Sequence, residues 1–171
     1  MASRSYATAL ELHSSEELGQ MTASVHYWGP MRQKLVSPTE DDIRTLLFET
    51  PEAYWQDGSC NGTFFFKSDG IESELSLSLT DPYGFRITHV FLPKRDMHVC
   101  VSSPSFDELT SVLIGGSFTA LPVALFVPRE DAFRVVVEFC NTGKRSSTVD
   151  WARWHDLEWE DPGDFDDEQS L

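Results

Sequence analysis

Between Pro122 and Trp151 the chain runs PVALFVPREDAFRVVVEFCNTGKRSSTVDW, a stretch that leaves few choices of local structure. Residues 123–127 form an unbroken apolar run, which suits a buried strand. Pro128 follows at what reads as the first helical position, where a missing N–H costs nothing. Glu130 and Asp131 then place negative charge near the positive end of the helix dipole. Ala132, Val135, Val136 and Phe139 recur at i, i+3, i+4 and i+7, making one apolar stripe. Asn141-Thr142-Gly143 ends the pattern, with Gly143 available for a left-handed cap and Lys144-Arg145 close to the negative end. Val149 and Trp151 start a further strand. The expectation is strand, helix over about 128–141, strand. Pro128, Val136, Phe139, Gly143 and Trp151 serve it as scaffold residues, and none of them is catalytic.

The chain has 171 residues, 40% of them hydrophobic, enough for one domain with a real core. No apolar run approaches the roughly 20 residues that span a bilayer. Residues 1–19 lack the long apolar centre of a secretory signal, so a cytoplasmic location is expected. Cys60, Cys100 and Cys140 are widely spaced and odd in number, which argues for reduced thiols rather than a disulfide framework. Charge is the strongest global feature: 13 basic against 28 acidic side chains give a net charge of −15. Nucleic acid is a poor partner for such a chain, because binding it relies on neutralising phosphates. Basic protein surfaces are better partners. The plainer alternative is that the charge only maintains solubility.

In chain order, residues 1–24 read as an N-terminal segment, weakly structured or a short helix, with Leu10, Leu12 and Leu18 apolar and Ser15 a candidate cap. Residues 25–160 form an α+β domain, and 161–171 an acidic flexible tail. Residues 25–28 are a short strand stopped by Gly29-Pro30. Ser37-Pro38-Thr39-Glu40 reads as a capping box with proline at the first helical position. Ile43, Leu46 and Leu47 give that helix its apolar face, and it stops near Thr50-Pro51, spanning about 38–49. Strands are expected at 63–67, 74–79, 85–91 and 97–101, joined by turns at Asp81-Pro82-Tyr83-Gly84 and Pro93-Lys94-Arg95-Asp96. Residues 105–113 read as a short helix broken by Gly115-Gly116. The fold class is α+β: a single domain, mainly antiparallel sheet, with two principal helices.

Five scattered histidines and no CxxC, HxxxH or HExxH spacing argue against a metal site, and the acidic tail lacks the ligand spacing of a calcium loop. His89 and His98 are placed to face each other across the Lys94-Arg95 turn, as ordinary sheet histidines. Cys100 and His98 are assigned to opposite faces of one strand and so are not paired. Cys140 lies near a helix C-terminus, where the dipole raises a thiol pKa. No GxSxG elbow or phosphate-cradling glycine loop occurs, and carboxylate pairs such as Glu72 and Glu74 are commonplace in so acidic a chain. No catalytic residue, metal, cofactor or small-molecule substrate is therefore expected. What remains is an aromatic and acidic group after the second helix. From 156 to 168 there are eight carboxylates and no cation, about half of the net charge. If 149–155 is extended, Trp151 and His155 share one face, and Trp154 and Asp156 share the other. Trp154, Asp156, Glu158, Trp159, Glu160 and Asp161 are the candidate partner-binding residues, since tryptophan anchors interfaces and carboxylates meet Arg and Lys across them.

Val127-Pro128, Ala132, Val136, Glu138-Phe139, Thr142-Gly143 and Val149-Asp150-Trp151 together resemble the C-terminal signature of the Imm1 family of bacterial immunity proteins. The specific part covers 127–151, with looser agreement over 37–154. Where the family often has a proline shortly after the glycine, this chain has Ser146-Ser147, and the motif does not include the acidic tail. The resemblance implies an immunity protein that neutralises a cognate toxin with a basic surface, often a nuclease or nucleic-acid deaminase. From the charge and the lack of a long apolar run, neither nucleic acid nor membrane is expected as a partner. The alternatives are an adaptor or chaperone for a basic secreted effector, and a small enzyme of unrecognised type.

Overall fold

The computed structural model describes residues 23–159, apart from Gly115. Seven strands form one antiparallel sheet in the order β2-β1-β3-β4-β5-β6-β9. They are β1 (Ser24–Trp28), β2 (Lys34–Val36), β3 (Gly62–Ser68), β4 (Ile71–Thr80), β5 (Gly84–Phe91), β6 (Asp96–Val101) and β9 (Asp150–Arg153). β7 (Leu109–Ile114) and β8 (Ser117–Pro122) make a separate hairpin, and the helices are α1 (Glu40–Phe48), α2 (Glu52–Gln56) and α3 (Arg129–Thr142). The fold is a single α+β domain with a mainly antiparallel sheet and two substantial helices.

The period of two along the strands assigns the faces. Leu75, Leu77 and Leu79 of β4 point one way, joining Tyr27, Phe64, Phe66, Phe85 and Ile87 in the main core. α1 and α3 cover that face through Ile43, Leu46 and Leu47, and through Ala132, Val135, Val136 and Phe139. Each of the larger side chains, fully buried, contributes about 1.5–3 kcal/mol. Neighbouring residues of β6 split between the faces: Cys100 joins the main core, whereas Val99 joins a second core with Val112, Leu121, Leu125 and Phe126. The β7–β8 hairpin therefore caps the opposite face beside β6.

Local chemistry sets the helix ends, and here two expectations shift. Thr39, not Ser37, caps α1: its hydroxyl accepts from Asp42 N–H while the Asp42 carboxylate accepts from Thr39 N–H at 2.8 Å. Thr-Glu-Asp-Asp closes the reciprocal box two residues later than Ser-Pro-Thr-Glu, and Ser37 instead takes a positive φ of 51°. Pro128 caps α3 rather than starting it. Its ψ of 157° is extended, and its carbonyl already accepts the Ala132 N–H at 2.9 Å. At the other end Gly143 is left-handed (φ 66°) and donates to Phe139 O at 2.7 Å.

Three segments differ more. Residues 123–127 are not a strand: Val123–Leu125 is a 3₁₀ turn, and Val127 makes only an isolated bridge with Phe85. A five-residue apolar run fits a buried turn as well as a buried strand. Residues 105–113 are not a helix, since 109–114 is strand β7. Its Val112 and Ile114 pack in the second core, and Gly116 lies in the turn to β8 rather than after a helix. The short elements β2, α2 and β8 carry no periodic signal in the sequence and are new in the structure. Residues 1–22 and 160–171, including the N-terminal leucines and the acidic tail, lie outside the described residues. No helix among the described residues is long and apolar enough to cross a membrane.

Candidate functional site

The C-terminal end of α3 delivers the chain to a small polar junction. Gly143 O accepts from Ser73 Oγ of β4 at 2.6 Å and from His89 Nε2 of β5 at 3.4 Å. His89 is buried, its ring set edge-on to Phe139 at 5.9 Å and to Trp151 at 6.2 Å. Residues 143–149 then loop back to β9 under several restraints. The buried Ser146 hydroxyl bonds the Glu138 carboxylate and Thr148 Oγ1, and Trp151 Nε1 donates to Ser146 O at 2.8 Å. Lys144, Arg145 and Ser147 are exposed on this pinned loop.

Facing the loop is the β5–β6 turn, which contributes Lys94. The register pairs His89 directly with His98, as their spacing across the turn predicts. Asp96 binds Arg153 Nε at 3.0 Å and lies 3.8 Å from His98 Nδ1. The whole encloses an open cavity of about 690 Å³ lined by cationic, imidazole, hydroxyl and apolar groups. Burial pushes the His89 pKa down to about 4; the Gly143 carbonyl opposes this and the Arg145 charge adds to it. Burial and then Arg145 also lower His98, against Asp96. For Asp96, burial acts upward, but the Arg153 hydrogen bond and the His98, Arg153 and Arg145 charges hold it low. The cavity thus presents neutral imidazoles beneath positive charge.

Cysteine chemistry does not extend into it. His98 and Cys100 share one face of β6, being two residues apart, which corrects their assignment to opposite faces. Cys100 is fully buried opposite Trp151, and burial raises its thiol pKa well above the ordinary value. The Cys140 thiol is pushed up to about 12, also by burial. Among the described residues no group of three or more His, Cys, Asp or Glu side chains is placed to hold a metal ion.

The candidate partner-binding residues lie on the other side of β9. The extended run stops at Arg153, and Trp154–Asp156 is a 3₁₀ turn, so Trp154 and Asp156 do not share a strand face. Trp154 and Trp159 meet edge-on at 5.9 Å and pack with Leu157 against the second core. Asp156 and Glu158 are exposed beside them, whereas Glu160 and Asp161 lie outside the described residues. A second acidic region surrounds the start of α3. Glu52 accepts from Asp81 N–H at 3.1 Å, Asp81 lies 3.4 Å from Arg129, and Glu130 and Asp150 are exposed. Of the scaffold residues, Val136 and Phe139 are fully buried, Pro128 and Gly143 cap α3, and Trp151 is half-buried. The chain matches no family model, curated protein or solved structure.

Proposed function

We propose that this protein is an immunity-type inhibitor that binds a cognate bacterial toxin, a nuclease or nucleic-acid deaminase, and keeps it from its substrate. The observation that carries this is the charge: 28 acidic side chains against 13 basic ones. A toxin acting on nucleic acid must present a basic cleft to hold phosphates. An acidic surface that docks on the cleft competes for the same cations and excludes substrate. The resemblance of 127–151 to the Imm1 signature supports the same role. The contact surface is assigned to Asp156 and Glu158 with Trp154 and Trp159, and Glu160 and Asp161, next in the sequence, are further contact candidates. The tryptophans supply apolar area and the carboxylates meet Arg and Lys. No catalytic step, metal or cofactor enters this mechanism. Inhibition takes place in the cytoplasm, where such a toxin finds its substrate.

Co-expression with the product of an adjacent reading frame, if that encodes a nuclease or deaminase toxin, tests the proposal. Protection of the host, co-elution on a sizing column and loss of nuclease or deaminase activity in the complex are expected. An unprotected host with separately eluting proteins overturns it. A stable complex in which the partner stays fully active also overturns it, and makes the protein an adaptor instead.

A further inference from the structure

The large cavity beside the end of α3 runs against the character of the chain. In a strongly acidic protein, Lys94, Lys144 and Arg145 come from two separate loops to line one hollow. Among the described residues none of the three forms an ion pair. The carboxylate at the rim, Asp96, is already held by Arg153 at 3.0 Å. Like charges converge at a cost unless a counter-charge joins them. The loop carrying Lys144 and Arg145 is anchored by the Ser146 bonds to Glu138 and Thr148 and by the Trp151 indole, so the cations stand on a fixed support. Trp151 and Phe91 also line the hollow and give it aromatic surface. A volume of about 690 Å³ suits a small molecule.

We propose that this cavity binds a small aromatic phosphate, its phosphoryl group held by Lys94, Lys144 and Arg145 and its ring laid against Trp151 and Phe91. The site is distinct from the proposed inhibitor surface: it lies on the helix-covered side of the sheet, whereas Trp154 and Trp159 pack on the other, and only Asp156 of that surface acts on it, through its charge on His98. His98 lies at the rim, close enough to Arg145 and Asp96 to respond to their charges. A bound phosphate adds negative charge there and draws a proton onto its imidazole. The groups facing His98 are His89 of β5, Asp96 of β6, Arg153 of β9, Arg145 of the loop and Asp156 of the following turn.

Calorimetric titration of the full chain with phenyl phosphate, inorganic phosphate and phenol tests each half of the site. Phenyl phosphate is expected to bind saturably at one site, and more tightly than either fragment. The double variant Lys144→Ala/Arg145→Ala, altered only at exposed positions, should weaken it by about 10-fold or more, as expected for losing two charge-assisted contacts. In ¹H NMR the His98 ring signals should move with the same dissociation constant, and the His98 pKa should rise on saturation. Absence of saturable binding overturns the proposal, as does equal affinity in the double variant. Phenyl phosphate and inorganic phosphate binding alike would remove the aromatic wall from it. Binding that leaves His98 unmoved places the ligand elsewhere and also overturns it.

Discussion

His89 shows how one side chain ties several elements together. It holds the Gly143 carbonyl, abuts Phe139 and Trp151, and stays neutral because burial drives its pKa from 6.5 to about 4. The unfolded chain therefore binds the extra proton between those two values. Stability from the neutral ring is complete above about pH 6.5 and is lost as pH falls toward about 4. A tenfold change in proton affinity corresponds to about 1.4 kcal/mol, and contact of the ring with the open cavity holds the total to the order of 2 kcal/mol. His89→Gln keeps an amide donor for Gly143 but does not titrate. Its urea midpoint should drop less than that of the wild type between about pH 7 and pH 4. Parallel pH profiles would show that another group controls the loss. The facing of His89 and His98 is legible in their spacing around the turn. Their place beside Lys94, Lys144 and Arg145 is not, because those cations come together only through tertiary structure.

At the level of elements, α3 is readable because several local signals agree: acidic first turn, apolar stripe and terminal glycine. Gly143 is the most constrained of these. It is left-handed, and a Cβ there would sit 2.2 Å from the Phe66 ring, so backbone strain and a steric clash add. Gly143→Ala should destabilise by about 2–4 kcal/mol, combining the left-handed penalty with overpacking. Denaturant unfolding measures this, and a loss below about 0.5 kcal/mol would mean that the loop yields without disturbing the core. β4 and β5 are equally readable, since the alternation over 74–79 and 85–91 has no helical counterpart. Short elements are read less evenly: β1 and β6 are expected from their sequences, but β2, α2 and β8 are not. β2, α2 and β8 are set by their neighbours: β2 pairs with β1, Trp55 of α2 packs on Phe85, and β8 pairs with β7. The run 123–127 misleads for the same reason, because burial alone does not distinguish a turn from a strand.

For the whole molecule, charge decides behaviour at a distance. If the acidic surface guides the proposed toxin, the association rate should fall steeply with added salt while the dissociation rate changes little. Stopped-flow mixing at several salt concentrations measures this. A salt-independent association rate would leave apolar contact, not attraction, in control of encounter. The net charge is plain in the sequence. Its distribution depends on the sheet register, which places Asp150 opposite Val101 and Arg153 opposite His98.

The opposed charges at the two ends of α3 have a consequence for how the protein handles two ligands. The start of the helix has Glu130 and Asp131, with Asp81 nearby, and its far end leads to Lys144 and Arg145. Its 14 residues, at about 1.5 Å rise each, separate these groups by about 21 Å. At physiological ionic strength the Debye length is about 8 Å, so each end is electrically blind to the other. An anion at the far end and a cation at the start would then bind without electrostatic influence on each other. In about 0.01 M salt the screening length grows to about 30 Å, longer than the helix, and the two binding events become coupled. Ionic strength thus sets whether α3 acts as an insulator or a conductor between its ends.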